Sequence, residues 1–453
     1  MKQKFFLGAL MAGMAVFTAC SSDDEMVMPA GVGEANGDVQ EIVLQVANDG
    51  LVAKRGGRPL YSSEAAQDVD KVVLYAIAQD GENAGKVVLK KEIDWSTAGT
   101  YSGGDGKGTK KSIRLQDNEK LDVGKYKFVA YAYNSDSKDA NHNTYTYSDA
   151  NWKVNTTEYS DIVATLTPGS DGEEIFAGGC EKDVVISEYK NTAGDNVISG
   201  FTATVLMARQ VAGGFGYFTD IPAVDGATTL RLVSSMKNRE VTFGSFNYST
   251  PTTADGLVAD PDYVVNGKTE DGSFNAKFNG SSANDAYVIY SIKLTDWFPK
   301  GDVSGDGLLG KADAEMNDVE EGNVYWQIPS AYTGKANFKS GSVFSGKFII
   351  PFAAQNGKQT MELQLVSEDG ATIYKSWSVK IPTADKQNEE TEEIYSVYRN
   401  HMYNLGVKTT ANPENPDEEE EDKEDPESLN LGQDLTFKVM SNWEALHSLV
   451  LGD

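Results

Sequence analysis

The sequence predicts an all-β fold, built as two β-sandwich domains and one further strand near the C-terminus. Apolar residues recur with a period of two in short segments that end at Gly, Asn, Asp or Pro, which is typical of strands. No long amphipathic pattern of period 3.6 accompanies them. The chain has 453 residues, more than one typical domain, so we predict two sandwiches.

The predicted strands are spread along the whole body of the chain. Its 21 Tyr and 18 Phe, with many Val and Thr residues, favour a pleated sheet over helices. We place the N-terminal sandwich at residues 56–196 and the C-terminal sandwich at residues 197–411. The clearest strands lie at residues 72–77, 126–133, 287–294, 361–365 and 377–381.

Charge and rare residue types exclude several classes of function. A net charge of −28 is unsuited to nucleic acid or to anionic lipid surfaces. The two cysteines, Cys20 and Cys180, exclude a disulfide framework. His142, His401 and His447 stand in no zinc-ligand or Ser-His-Asp spacing. We therefore expect no catalytic site and no required cofactor.

Residues 1–20 have the organisation of a secretory signal peptide. Lys2 and Lys4 precede an apolar segment, residues 5–17, which is too short to cross a bilayer easily. The small residues before Cys20 resemble a lipobox, so we expect Cys20 to be lipidated. Ordinary signal cleavage is the alternative. The stretch at residues 21–25 (SSDDE) resembles the acidic export signal of Bacteroidetes surface lipoproteins.

Residues 21–55 are interpreted as a propeptide with a removable first strand. After a polar tether, Ile42, Leu44 and Val46 alternate along one face of a short strand. A basic, Gly-rich segment at residues 54–59 then separates this strand from the body of the chain.

Near the C-terminus, a linker likewise separates an apolar strand from the body of the chain. An acidic linker is predicted at residues 412–434, since like charges from Glu414 to Glu427 repel and keep a chain extended. The last segment, residues 435–453, is apolar again. A lone strand cannot bury its own apolar face, so it must return to its own domain or complete the sheet of another molecule. The residues that would form its contact surface are Leu435, Phe437, Val439 and Trp443.

Several short motifs in order resemble the fimbrillins of Bacteroidales, also called type V pilins. They are residues 399–405 (RNHMYNL), the Pro-Glu-Asn-Pro stretch at 413–416, and the terminal segment with Trp443. Residues 205–212 and 174–178 are similar to two further family segments. The resemblance implies two transthyretin-like β-sandwich domains, a lipoprotein precursor and a structural role in a surface fimbrium.

The same resemblance implies how the subunits would assemble. An Arg-specific, trypsin-like protease would cut between Arg55 and Gly56 and remove the first strand. Arg58 is the poorer site because Pro59 follows it. The strand of another subunit would then fill the opened groove, giving a homopolymer on the outer membrane that supports adhesion and colonisation. An ordinary exposed turn is the alternative reading of Arg55.

Residues 302–313 match the spacing of an EF-hand-type calcium loop. Oxygen donors stand at loop positions 1, 3, 5 and 12, and Gly307 stands where the loop must turn sharply. Ser304 and Gly310 depart from the pattern, so a Gly/Asp-rich surface insertion remains the alternative. The expected ligands of a structural calcium ion are Asp302, Ser304, Asp306 and Asp313.

Two other functions are compatible with the sequence. The chain would serve as a tip or anchor subunit of the same pilus if it did not form the shaft. A surface glycan-binding lipoprotein would instead use exposed aromatic residues such as Trp152, Trp297 and Trp326. Scattered aromatic residues more often lie in a core, and the intact C-terminal strand favours a shaft or base subunit over a tip.

Overall fold

The fold is that of a computed structural model, in which strands dominate. It describes residues 39–47, 69–103, 106–135, 144–167, 172–190, 196–234, 236–237, 240–243, 267–268, 276–277, 287–318, 322–332, 338–351, 361–382, 397, 399, 401–408, 424–430, 432 and 434–440.

The first part of the described chain forms twelve strands and one short 3₁₀ turn at Asp117–Glu119. The strands are β1 (Gln40–Ala47), β2 (Lys71–Ala78), β3 (Val87–Asp94), β4 (Gly99–Gly103), β5 (Gly106–Leu115), β6 (Gly124–Tyr133), β7 (Tyr145–Tyr147), β8 (Val163–Leu166), β9 (Phe176–Val184), β10 (Ile186–Lys190), β11 (Asn196–Ile198) and β12 (Phe201–Arg209).

The remaining part adds sixteen strands and three short helical turns. The helices are α1 (Leu294–Trp297), α2 (Lys311–Glu315) and a 3₁₀ turn (Met316–Asp318). The strands are β13 (Ala212–Thr219), β14 (Ile221–Pro222), β15 (Thr229–Ser234), β16 (Met236–Lys237), β17 (Glu240–Thr242), β18 (Gly267–Lys268), β19 (Ala276–Lys277), β20 (Tyr287–Lys293), β21 (Leu308–Leu309), β22 (Val343–Ile349), β23 (Met361–Val366), β24 (Ile373–Lys380), β25 (Met402–Leu405), β26 (Glu427–Ser428), β27 (Leu435–Thr436) and β28 (Lys438–Met440).

The first sandwich is one eight-stranded sheet that folds over on itself, in the order β3-β2-β6-β9-β12-β1-β5-β4. β9 and β12 pair only where Phe176 and Ala177 meet Arg209 and Ala208, and this corner brings the two halves face to face around one apolar core. A side chain has no room there, because a Cβ at Gly178 would lie 1.8 Å from the carbonyl oxygen of Leu206.

The second sandwich packs two five-stranded sheets against each other. One has the order β22-β13-β25-β28 with β26 added beside β13, and the other has the order β20-β15-β23-β24-β27. Alternate residues of both sheets point into a core rich in aromatic side chains. Its inner face includes Tyr217, Leu232, Phe344, Leu363, Trp377 and Leu405, all at most 2% exposed.

These sheets confirm the prediction of an all-β fold. Beyond residue 196, β12 pairs within the first sandwich and β13 begins the second. β17 also pairs with β8, which lies before residue 196. The number of independent domains stays a prediction. Among the described residues, no helix has the length and apolarity needed to cross a membrane.

Candidate functional site

The predicted removable strand, β1, lies at the centre of the first sandwich. It runs parallel to β12, with seven residue pairs, and antiparallel to β5, with eight. Ile42 and Leu44 are 0% exposed and Val46 is 2% exposed, because their side chains point between the two halves of the folded sheet. Withdrawing β1 would leave a groove with unpaired backbone groups along both walls and an open apolar floor.

A polar contact fixes the register of β1 in this groove. The buried side chain of Gln40 donates from Nε2 to the carbonyl oxygen of Leu121 over 2.8 Å, and its Oε1 accepts the Leu121 N–H over 2.7 Å. On the outer face, Glu41 lies 3.7 Å from Nε of Arg114. Sequence reasoning missed this contact, since the only signal was a Gln directly before an apolar strand.

The predicted donor segment packs on its own sandwich in this structure. β27 pairs with the end of β24, and β28 pairs with β25 in the opposite sheet. Leu435 and Phe437 are each 1% exposed, and the Phe437 ring meets the Tyr403 ring edge-on at 5.9 Å. Of the two fates predicted for this strand, the structure therefore presents the return to its own domain. Backbone pairing places Val439 opposite Tyr403, and Trp443 lies outside the described residues.

The described part of the predicted acidic linker is docked, whereas the sequence predicts an extended chain over residues 412–434. Val407 and Asp425 exchange backbone hydrogen bonds, β26 pairs with β13, and Leu429 is fully buried. Repulsion between the acidic side chains does not prevent docking here. Within the described part of the linker, Glu424 is the acidic side chain that is buried, and it contacts the cation of Lys408. Residues 412–423 lie outside the described residues.

Glu424 forms a buried ion pair with Lys408, both side chains being 0% exposed. The second carboxylate oxygen of Glu424 accepts the Tyr217 hydroxyl over 2.7 Å, and Lys339 donates to the Glu424 carbonyl oxygen. Burial raises the pKa of Tyr217 well above its ordinary value, so its hydroxyl remains a donor to the carboxylate. This cluster fastens the chain that leads into the donor segment.

The motif at residues 399–405 has a structural role. Arg399 donates to the carbonyl oxygen of Arg209 over 3.2 Å, and His401 Nδ1 lies 2.9 Å from the Arg399 carbonyl oxygen. Burial lowers the pKa of His401. Arg209 in turn forms a buried ion pair with Glu174 at 2.7 Å, which joins the two similar segments at residues 205–212 and 174–178.

The four predicted calcium ligands make hydrogen bonds within their own loop. Asp302 accepts the N–H groups of Gly305 and Gly307 at 2.7 and 2.9 Å, while Asp306 accepts that of Leu308. Ser304 donates its hydroxyl to Asp302. Partial burial would raise the pKa of Asp302, but the backbone donors outweigh it and lower that pKa.

Asp313 is fully buried and also accepts hydrogen bonds from the loop backbone. Its carboxylate accepts the N–H groups of Val303, Ser304 and Gly310 at 2.8, 2.9 and 3.1 Å. Within the described residues, which include the whole loop, no group of three or more His, Cys, Asp or Glu side chains is placed to hold a metal ion. The loop is therefore closed by its own hydrogen bonds.

Changing Asp313 to Ala should destabilise the second sandwich by about 2–4 kcal/mol, because three N–H groups lose their acceptor. Asp313→Asn, which keeps one carbonyl oxygen, should cost less. Thermal melting of the wild-type protein should give the same midpoint with calcium and with a chelator, since only an ion that binds the folded state stabilises it. A calcium-dependent rise that disappears in Asp302→Ala would contradict this and restore the calcium loop.

The other predicted site residues are distributed as follows. Cys20, Arg55 and Gly56 lie outside the described residues. Trp297 is 2% exposed, and Trp152 and Trp326 pack against the core as half-buried side chains. Trp326 also donates its Nε1–H to the Ser342 carbonyl oxygen. These three residues therefore do not form an exposed aromatic platform of the kind that a glycan-binding surface needs.

Comparison with known proteins finds only solved structures of low identity and low TM-score. No protein-family model and no curated protein matches the sequence. A fimbrial assembly protein from Parabacteroides distasonis is 11% identical over 83% of this chain and 96% of its own, with a TM-score of 0.33. The fimbrial anchor protein of Porphyromonas gingivalis is 10% identical over 81% of this chain and 90% of its own, with a TM-score of 0.32.

A C-terminally truncated tip fimbrial protein of Porphyromonas gingivalis is likewise 10% identical, over 81% of this chain and 94% of its own, with a TM-score of 0.31. All three are described as fimbrial proteins. Because these TM-scores lie below 0.5, the role of this chain has to be argued from its own residues.

Proposed function

We propose that this chain is a structural subunit of a surface fimbrium, which polymerises when one copy gives a strand to the emptied groove of another. The observation that carries the proposal is the position of β1. This strand lies inside the sheet with pairing partners on both sides, and its inward side chains are buried. A basic, Gly-rich segment at residues 54–59 nevertheless separates it from the body of the chain.

Cleavage between Arg55 and Gly56 would convert β1 into a separate peptide. Its three inward side chains, Ile42, Leu44 and Val46, each contribute ~1.5–3 kcal/mol of burial, so the groove that they leave is costly while it stays empty. An incoming strand of the same apolar period would bury its own side chains there. Ordering and docking that strand consume part of the gain.

The donor would be the segment from residue 435 onward, which must first leave its own sandwich. In its present position, this segment pairs with two residues of β24 and three of β25. In the groove it would instead have a neighbouring strand along each side. Because each backbone hydrogen bond contributes roughly 1 kcal/mol net, the groove is the better location once β1 is gone.

The remaining steps concern export and processing. The precursor would carry lipid on Cys20 and reach the outer face of the outer membrane. An Arg-specific, trypsin-like protease would then act on it. Further copies of this chain are the partners in the polymer, and no bound cofactor takes part. A shaft or base position agrees with the presence of a donor segment.

Arg55→Ala tests the acceptor half of this proposal. The variant should fold as a monomer that retains β1 and forms no polymer, because its groove is never emptied. The measurement is the ladder of polymers that the protein gives on a denaturing gel without boiling, after it has been treated with the Arg-specific protease.

Arg58→Ala is the matched control, since Pro59 already makes Arg58 a poor cleavage site. It should be processed and should polymerise like the wild-type protein. Long polymers of Arg55→Ala that still contain residues 39–47 would show that removal of β1 is not the trigger.

A further inference from the structure

The strand that would leave and the segment that would replace it match residue by residue. Residues 40–46 read QEIVLQV, and residues 433–439 read QDLTFKV. Gln and Val are identical at the two ends of these segments. The five positions between them are one acidic residue, two inward apolar residues and two outward residues, and they differ by substitutions that largely preserve size or polarity. Alternation of apolar residues alone explains only the three inward positions.

We propose that residues 433–439 of one copy occupy the β1 groove of the next in a single register, with Gln433 at the place of Gln40. This inference rests on the proposed function and specifies the register in which the donor strand would lie in the groove. The donor would run parallel to β12 and antiparallel to β5, as β1 does. Leu435, Phe437 and Val439 would then take the inward positions of Ile42, Leu44 and Val46.

The Gln433 side chain would select this register. The backbone N–H and carbonyl groups of Leu121, which now bind Gln40 at 2.7 and 2.8 Å, lose both partners when β1 leaves. Buried backbone groups without partners are costly, and only a Gln at this position of the donor would restore both contacts. In the same register, Asp434 would lie beside Arg114, where Glu41 lies now.

Other registers fail for identifiable reasons. A shift by one residue would turn the apolar side chains outward. A shift by two residues would keep them inward, but Gln433 would miss Leu121. The chosen register has one unfavourable position, because Gln45 lies opposite Lys110 and the donor brings Lys438 there. Like charges directly opposite each other destabilise a sheet, so Lys438→Gln, which copies β1, should speed polymer growth.

Pairs of introduced cysteines test the register directly, because a disulfide forms only between residues that lie opposite each other. Val43 lies opposite Ser112 on β5, so the proposal places Thr436 of the donor opposite Ser112 of the acceptor. Neighbouring antiparallel strands bring Cα atoms close enough for a disulfide. Full-length chains carrying Ser112→Cys with Thr436→Cys, in a background of Cys180→Ala, should form ladders that survive boiling without reductant. The matched control combines Ser112→Cys with Lys438→Cys, which the same register separates by two residues.

Gln433→Leu gives an independent measurement on the same protein. It should slow polymer growth at least about tenfold, because Leu121 keeps two unpaired groups in the filled groove. The folded monomer should keep its melting temperature, since Gln40 still occupies that site before cleavage. Gln40→Leu should have the opposite profile, with a less stable precursor and normal polymer growth after β1 is removed.

The outcomes separate the register from the mechanism. The register is supported if the protein with Ser112→Cys and Thr436→Cys forms polymer ladders that survive boiling without reductant. The protein with Ser112→Cys and Lys438→Cys should then form ladders only in samples that are not boiled. Boil-resistant ladders with Lys438→Cys, or unaltered growth of Gln433→Leu, overturn it while strand exchange stands. If chains that lack the donor segment still polymerise, the proposed function itself is wrong.

Discussion

Removing residues 435–453 should abolish polymer growth, the largest effect expected of any change in this chain. The truncated subunit would still be cleaved at Arg55 and would still offer an empty groove, but it would have no strand to donate. It should therefore cap growing polymers when mixed with the processed wild-type protein. Unboiled denaturing gels of the variant alone, and of mixtures at increasing proportions, measure both effects.

The truncation has a second effect that needs its own control. Leu435 and Phe437 are buried in the second sandwich of the same chain, so their loss also exposes apolar surface there, at ~1.5–3 kcal/mol for each side chain. A less stable monomer alone could reduce polymer yield. A point variant that spares this packing separates the two effects.

Thr436→Pro is that variant. Phe437 donates its N–H to Lys380, and because successive N–H groups point to opposite sides of a strand, the N–H of Thr436 points away from β24. Proline is tolerated at such an edge position but not in a central strand. We expect a monomer of nearly normal stability that does not donate, whereas Thr436→Val should polymerise normally. Long homopolymers from the truncated chain, or from Thr436→Pro, would exclude this segment as the donor.

Lys408→Met should lower the free energy of unfolding by about 3–5 kcal/mol, because it leaves the Glu424 carboxylate buried without its cation. Lys408 and Glu424 are both fully buried and in direct contact, so water does not replace the lost partner. The double variant Lys408→Met with Glu424→Gln should recover most of the loss, since Gln removes the charge and still accepts the Tyr217 hydroxyl. Urea unfolding of the Arg55→Ala monomer avoids interference from polymers.

An exposed ion pair of the same type provides the control. Lys311 and Glu315 lie 3.3 Å apart with side chains that are 74% and 64% exposed, and such pairs contribute little. Lys311→Met should leave the unfolding midpoint unchanged. An equally small effect of Lys408→Met would mean that the Lys408–Glu424 pair does not fasten the chain before the donor segment.

The sequence predicted the features that depend on neighbours along the chain. A period of two in Ile42, Leu44 and Val46 predicted a half-buried strand, and the structure places it in a core. Leu435 and Phe437 gave the same signal near the other end. The spacing of Asp302 to Asp313 predicted an EF-hand-type calcium loop, and in the structure carboxylates of this loop accept backbone N–H groups.

The sequence by itself therefore determined the all-β class and the apolar faces of the two end segments, because alternation is a local property of a strand. Only the tertiary structure decided that β1 is central, that Gln40 binds the backbone of Leu121 and that Glu424 is buried against Lys408. Gln40 and Leu121 are 81 residues apart, and no local pattern encodes such a contact. It arises when distant strands bring their backbone groups to one place and a buried polar group has to find a partner there.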